Sequence, residues 1–258
     1  MQTNICPHLD IYKIQTSRYG DVFSSLTRYD FKFERIVSAS GALLGYEILL
    51  DFAKAKCSGD IACVAQYEKA IHDTSAIEFA ISKLLKAKST LRVNRLFLNF
   101  ERMHLCHRQL LAKIALLSKE LFVNNIELVL EITERDVCGN CEQIRYGLSF
   151  LKSAGVSLAV DDFDIYNGDF RVAEVLSGLY DYIKVEAPIT AAQRTTFNKF
   201  ATLSFLKEKK IIMERIENTA MLRGLVIPFG LQGYAYGRSS QPERPDKKIN
   251  TRGVFARH

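Results

Sequence analysis

The 258-residue chain lacks any hydrophobic run that approaches the roughly 20 uncharged apolar residues of a membrane-spanning helix. Its first residues, MQTNICPHLDIYK, also lack the basic and then apolar layout of a secretory signal peptide. Hydrophobic residues nevertheless make up 48% of the chain, which is enough for one large core. We therefore expect a cytoplasmic protein that has no contact with a membrane.

Cysteine is too sparse for a disulfide framework. The six cysteines stand at positions 6, 57, 63, 106, 138 and 141. Cys138 and Cys141 form one CxxC pair, but no second pair stands at zinc-ribbon spacing. Ordinary reduced thiols are therefore favoured over structural zinc or a redox role.

The positive charge of the chain is scattered. The net charge is +6, and only the tail QPERPDKKINTRGVFARH is locally basic. This balance favours polyanionic or phosphate-bearing partners. No nucleic-acid-binding motif accompanies it, so nucleic acid is not the expected partner.

Eight short apolar stretches have the length and composition of β-strands, and most of them are separated by amphipathic helical patterns. The predicted strands are 31–39, 43–52, 95–100, 126–133, 156–163, 181–187, 210–216 and 230–236. The predicted helices are 61–88, 108–122, 141–155, 170–180, 194–209 and 218–226. Only SASG separates the first two strands, which indicates a hairpin. The sequence therefore predicts an α/β fold, a modified (β/α)8 TIM-like barrel with an irregular hairpin start.

Polar side chains interrupt seven of these eight apolar strands, mostly near their ends. In an α/β barrel the carboxyl ends of the strands converge, and the chemistry is found there. Burying one such group without a partner costs about 1–3 kcal/mol, so several of them predict a common site. The residues are Glu47, Asn99, Glu131, Asp161, Asp162, Lys184, Glu214 and Gln232.

This set is rich in oxygen ligands and contains no histidine. Such ligands suit Mg²⁺ or Mn²⁺ better than zinc. Asp161 could bridge two ions roughly 3.5–4 Å apart, as in two-metal phosphoryl-transfer sites. Lys184 would add positive charge near an attacked phosphate or orient the nucleophilic water. The reaction class that follows is metal-dependent phosphodiester hydrolysis.

Each residue taken singly also has a simpler interpretation. The Asp161–Asp162 pair could cap a turn, Glu47 could be an exposed strand acid, and Lys184 a solvated lysine at the barrel rim. His104 and His107 are interpreted as surface or helix-start residues rather than metal ligands.

Seven motifs in register carry a resemblance to a known family. GYEILLDF, LFLNF, LVLEITE, AVDDF, YIKVE, ERIE and LQGYAYGR resemble, in order and spacing, the motif series of the EAL family. These are bacterial cyclic di-GMP phosphodiesterases with a modified (β/α)8 barrel. The resemblance implies an EAL domain over 31–240, an N-terminal extension over 1–30 that is too short for a companion domain, and a basic tail over 241–258.

The resemblance also implies roles for individual residues. Two Mg²⁺ or Mn²⁺ ions would be held by Glu47, Asn99, Glu131, Asp161, Asp162 and Glu214. Lys184 would orient the water, with Glu47 and Glu214 also in the catalytic set. Gln232, Glu217 and Asp51 would stand at substrate-binding positions, and Glu134 would stabilise the loop after the aspartate pair.

The chain departs from the family pattern at a few positions. Asp51 stands where the family has an arginine that contacts a substrate phosphate, and Asp164, Ile165 and Tyr166 replace a glycine–threonine–glycine loop. Smaller departures are Glu34 and Arg35, Glu186 and Ser239. The resemblance implies a cyclic di-GMP-specific phosphodiesterase that forms linear pGpG. The alternative is a catalytically weak or inactive EAL module that acts as a cyclic di-GMP-binding or protein-binding regulator. A homodimer and a regulatory protein partner stay open.

Asp51→Arg is expected to tighten the binding of cyclic di-GMP, because an acid at this position repels the dianionic ligand. Isothermal titration of both proteins with cyclic di-GMP measures the effect. Unchanged affinity would mean that position 51 does not face the ligand.

Overall fold

The structure is a computed structural model that describes residues 30–51, 74–89, 91, 93–133, 141–203 and 208–237. Several predictions concern residues outside these ranges, and they stay predictions. They concern the N-terminal extension, the tail, the start of the first predicted helix, Glu134, Ser239, four of the cysteines and the side chain of Asp51. The two described cysteines, Cys106 and Cys141, are half-buried.

Eight strands form one closed barrel in chain order. They are β1 (Asp30–Val37), β2 (Leu43–Asp51), β3 (Arg95–Phe100), β4 (Glu127–Ile132), β5 (Ser157–Val160), β6 (Tyr182–Glu186), β7 (Lys210–Glu214) and β8 (Gly230–Leu231). β1 runs antiparallel to β2 and β8, and the other neighbours are parallel. The predicted barrel and its hairpin start are confirmed.

The hairpin turn fixes the register of β1 against β2. The Ser38 amide donates to the Ala42 carbonyl oxygen at 2.8 Å, and Gly41 has φ +80°, a conformation that favours glycine. This register sets Glu34 opposite Glu47. Two acids from neighbouring strands are thereby brought to the same end of the barrel.

The helices agree with the predicted order but not with all predicted bounds. They are α1 (Thr74–Ala87), α2 (Arg108–Phe122), α3 (Glu142–Ser153), α4 (Val172–Leu176) and α5 (Ala191–Ala201), with 3-10 helices at Arg102–Cys106, Thr219–Leu222 and Tyr234–Tyr236. The predicted helix over 170–180 is only α4. The helix predicted from 194 begins at 191, because Thr190 and Gln193 form a capping box. The helix predicted over 218–226 is a single 3-10 turn. No helix in the described part of the chain has the length and apolarity to cross a bilayer.

Several predicted strands extend beyond the observed ones, and the difference is largest at β5 and β8. β5 ends at Val160, so Asp161 and Asp162 follow the strand. The chain turns there, with Asp162 at φ +45°, and the Phe163 amide donates to the Lys184 carbonyl oxygen at 2.9 Å. β8 ends at Leu231, because Gly233 at φ +134° begins a 3-10 turn.

The inside of the barrel is layered. An apolar middle layer consists of Ile36, Phe97, Val129, Ala159, Tyr182 and Ile212. Because alternate strand residues point to the same face, side chains two positions further along also point inward. On β3, β4, β6 and β7 those positions are Asn99, Glu131, Lys184 and Glu214, and directly after β5 the position is Asp161. The sequence pattern thus places one polar group per strand above an apolar floor, at the carboxyl end of the barrel.

A second polar layer closes the opposite, N-terminal end. The Arg95 Nε atom donates to Glu127 Oε2 at 2.8 Å, and the Tyr182 hydroxyl donates to Glu127 Oε1 at 2.9 Å. Ser157 Oγ and Lys210 Nζ bond to Glu127 and Tyr182 respectively. These groups satisfy one another, so they explain barrel closure rather than chemistry.

The loop that follows β5 is held in place by the fully buried Arg171. Its guanidinium forms a bidentate pair with Asp169, with bonds of 2.9 and 2.6 Å. It also donates to the carbonyl oxygens of Ile132, at 3.2 Å, and Asp162, at 3.3 Å. Arg171 therefore connects the loop to the end of β4 and to the backbone of the predicted ligand Asp162.

The replaced residues of this loop have their own hydrogen bonds. Asp164 Oδ1 accepts from the amides of Tyr166 and Asn167, both at 2.8 Å. The Tyr166 hydroxyl donates to the Glu186 carbonyl oxygen at 2.8 Å. The loop is therefore ordered by side-chain contacts where glycines were expected from the family pattern.

Arg171→Ala is expected to lower the free energy of unfolding by about 3–5 kcal/mol, because it leaves the buried Asp169 carboxylate without its cation. Thermal or urea unfolding measures the change. Arg145→Ala, at an exposed position of α3, is the control and should alter it little. Equal stability of the two variants would contradict the role of Arg171 in holding the loop after β5.

Candidate functional site

The ammonium group of Lys184 lies among four carboxylates at the carboxyl end of the barrel. Its Nζ atom is 2.7 Å from Glu131, 2.8 Å from Glu214, 3.0 Å from Asp161 and 3.3 Å from Glu47. Each acid comes from a different strand or strand end. Lys184 is 1% exposed, so the simpler interpretation of a solvated rim lysine is wrong.

Glu47 is the centre of a second set of contacts. Asn99 Nδ2 donates to Glu47 Oε1 at 2.8 Å, and Gln232 Nε2 donates to Glu47 Oε2 at 2.5 Å. Glu47 is buried, so it is not an exposed strand acid. The structure thus brings together Glu47, Asn99, Glu131, Asp161, Lys184, Glu214 and Gln232, residues separated by up to 185 positions.

One lysine does not neutralise this many buried acids. Burial, with the charge of Glu47 next, holds the pKa of Glu131 well above its usual range. Burial, opposed by Lys184, raises the pKa of Glu214 to about 8. Burial alone would lower the pKa of Lys184, but the acids around it, Asp161 first, raise that pKa well above its usual value. These shifts favour the charged form of the amine and oppose full ionisation of Glu131 and Glu214.

Glu47 and Glu34 respond in opposite directions. Burial opposes ionisation of Glu47, but Lys184 and the bonds from Gln232 and Asn99 outweigh it and lower the pKa of Glu47. Burial and the charge of Glu47 raise the pKa of Glu34. Glu34, which had been noted only as a departure from the family pattern, therefore belongs to the same electrostatic group.

The donor set fits divalent cations. Asp161, Asp162 and Glu214 each offer a carboxylate oxygen, and these atoms lie within 4.8 Å of one another. Among the described residues, the buried side-chain oxygen of Gln232 has no hydrogen-bond partner. Oxygen donors that carry an excess of negative charge match Mg²⁺ or Mn²⁺. Glu47 and Asn99 approach the same place from the β2–β3 side.

A cleft of about 430 Å³ lies above these residues. Its lining includes the predicted Glu217 as well as four residues that the sequence did not single out: Leu49, Arg215, Gly233 and Tyr234. All four lie within or directly beside the motifs GYEILLDF, ERIE and LQGYAYGR. Position within a motif was therefore a usable signal for them.

The two histidines examined in the sequence lie elsewhere. His107 is the N-cap of α2, where its Nδ1 atom accepts from the Leu110 amide at 3.4 Å, as a helix-start interpretation predicts. His104 is buried, with its ring against Phe100, so its interpretation as a surface residue is wrong. Neither lines the cleft.

Lys184→Met is expected to destabilise the metal-free protein by about 3–5 kcal/mol, because it leaves buried acids without their cation. Adding Mn²⁺ should restore much of the loss, since the ions supply the missing positive charge. Thermal unfolding in EDTA and in MnCl₂ measures both effects, with Lys199→Met on the exposed side of α5 as control. A variant as stable as the control in EDTA would contradict the electrostatic role of Lys184.

Comparison with known proteins agrees with this geometry. The family model of the EAL domain matches residues 25–238. The PaMucR phosphodiesterase in complex with c-di-GMP is 18% identical, with coverage of 82% of this chain and 96% of that chain and a TM-score of 0.62. The EAL enzyme Bd1971 with cAMP and cyclic-di-GMP bound is 17% identical, with coverage of 91% of this chain and 67% of that chain and a TM-score of 0.67. Klebsiella pneumoniae BlrP1 in a manganese/cy-diGMP complex is 20% identical, with coverage of 82% of this chain and 56% of that chain and a TM-score of 0.58.

No curated protein matches the chain in sequence. The solved structures are only 17–20% identical to this chain, so by themselves they show a shared fold and no shared activity. The family model, in contrast, spans all eight strands and the whole cleft. The chain belongs to the EAL domain family.

Proposed function

We propose that the protein is a cyclic di-GMP phosphodiesterase that hydrolyses its substrate to linear pGpG with two Mg²⁺ or Mn²⁺ ions. The observation that carries the proposal is the cluster of oxygen ligands around Lys184 at the open end of the barrel. Solved structures of similar fold include a c-di-GMP complex of PaMucR and manganese/cy-diGMP complexes of BlrP1.

Six residues would hold the ions: Glu47, Asn99, Glu131, Asp161, Asp162 and Glu214. Bound ions would supply Lewis-acid activation of water and neutralisation of charge on the phosphate. The protein's own contribution is to hold the ligands in place before substrate arrives. Asn99 and Gln232 fix Glu47, and Arg171 fixes the backbone of Asp162.

Lys184 acts as a donor and a positive charge. Burial lowers its pKa, but the surrounding acids, Asp161 first, outweigh burial and raise the pKa well above the usual value, which favours the charged form. A charged ammonium at this point can donate a hydrogen bond to a water molecule and stabilise negative charge that develops on the phosphate.

The cleft suits a ligand of this size and type. Its volume of about 430 Å³ is within the range typical of small-molecule sites. Tyr234, which is 72% exposed, offers an aromatic ring at the cleft on which a guanine base can stack. We also propose that the protein is cytoplasmic and forms a homodimer.

A second candidate is a binding module without turnover. It is favoured by Asp51 at the position of a phosphate-binding arginine and by the replaced loop after β5. In this case the cleft would bind cyclic di-GMP as a signal, or a protein partner would use the same face.

The purified protein is expected to convert cyclic di-GMP to pGpG with Mn²⁺ or Mg²⁺ and not in EDTA. Glu47→Gln should reduce turnover by about 100-fold or more, because it removes a ligand charge and disturbs the bonds from Asn99 and Gln232. Chromatographic separation of substrate and product measures the rate. Glu208→Gln is the control, because Glu208 is exposed and precedes β7 at the opposite end of the barrel.

The outcomes separate the candidates. Turnover that is lost in Glu47→Gln and kept in the control supports the enzyme. Binding of cyclic di-GMP without product supports the binding module. Absence of both turnover and binding would leave neither nucleotide role standing.

A further inference from the structure

The cleft has one exposed cation among its described lining residues, and it is Arg215. Six of the lining residues are acids: Glu34, Glu47, Asp161, Asp162, Glu214 and Glu217. Lys184 is enclosed by carboxylates beneath the cleft. The side chain of Arg215, in contrast, is 68% exposed. Among the described lining residues, Arg215 is therefore the one that can present a positive charge to a ligand entering the cleft.

The backbone of Arg215 adopts a conformation that L side chains rarely adopt, with φ +55°. The turn is imposed by the next residue. Ile216 is fully buried, and its amide donates to the Gln232 carbonyl oxygen at 3.1 Å. Its own carbonyl oxygen accepts from the Ala235 amide at 2.9 Å. Glycine would satisfy this turn without strain, so an arginine here keeps a strained backbone beside the site.

The present partner of Arg215 is easily exchanged. Its Nη1 atom lies 2.7 Å from Glu186 Oε1, and the Glu186 side chain is 47% exposed. Ion pairs between exposed groups contribute little net stability. A guanidinium prefers a planar, bidentate oxyanion such as a phosphodiester, which a single carboxylate contact does not provide.

A cyclic dinucleotide carries two phosphodiesters, each with one negative charge. Ions held by the proposed ligands would neutralise the phosphodiester that is attacked, and the other phosphodiester would enter a cleft lined by acids. A cation at the rim removes this repulsion. We infer that Arg215 is a substrate-binding residue, with its guanidinium released from Glu186 to bind the second phosphate of the cyclic dinucleotide. This inference rests on the proposed function.

Arg215→Gly removes the charge and suits the backbone, so it should fold at least as well as the wild type. Its Kd for cyclic di-GMP, titrated in CaCl₂, should rise about tenfold, which corresponds to the loss of one charge-assisted bond. In MnCl₂ the KM should rise with kcat nearly unchanged, because the contact is present before and during the reaction. Arg215→Lys should retain part of the affinity.

Two further variants sharpen the test. Glu186→Gln should tighten binding a few-fold, since it removes the carboxylate that competes for Arg215. Arg145→Ala, on the outside of α3, should leave Kd and Tm unchanged.

Wild-type binding of cyclic di-GMP together with an unaltered Kd in Arg215→Gly would overturn the inference and leave the proposed function intact. A loss of affinity that accompanies a fall in Tm and kcat would also overturn it, because the role would then be structural. A wild-type protein that does not bind cyclic di-GMP would instead contradict the proposed function itself, and the inference with it.

Discussion

The contact of one ammonium group with four buried carboxylates is the constraint on which the site depends. Lys184 balances only part of the negative charge of Glu47, Glu131, Asp161 and Glu214. Burial first, and then the charges of neighbouring acids, raise the pKa values of Glu131 and Glu214. An oxygen-rich cluster with this excess of negative charge matches the ligand preference of divalent cations.

The buried acids stay close together because the rest of the barrel holds their strands in place. The apolar layer of Phe97, Val129, Tyr182 and Ile212 lies directly beneath the acids, and the network around Glu127 closes the far end. Side chains on well-packed parallel strands cannot relax away from one another. The positions of the ligands are therefore set by strand geometry.

The sequence predicted most of this because strand periodicity and motif position are local signals. Polar residues at the ends of apolar strands identified Asn99, Glu131 and Lys184, and the structure brings them together. The sequence did not predict that Arg171 holds the loop after β5 or that His104 is buried. Arg171 bonds to the Ile132 carbonyl oxygen, 39 positions away, and the 3-10 helix that contains His104 packs against α3. Local sequence patterns do not report such contacts. The short β5 was missed because the turn at Asp162 follows an apolar run without glycine or proline.

Backbone strain is concentrated at the cleft. Three non-glycine residues in the described part of the chain have positive φ: Asn125, Asp162 and Arg215. Asn125 lies in the turn between α2 and β4, where asparagine tolerates this conformation at small cost. Asp162 and Arg215 both line the cleft, and each begins the turn that follows a strand end. Strained residues persist where the surrounding structure determines them and the side chain is needed. Under the proposed function, Asp162 would supply a ligand oxygen beside Asp161, and Arg215 would supply a cation that glycine could not.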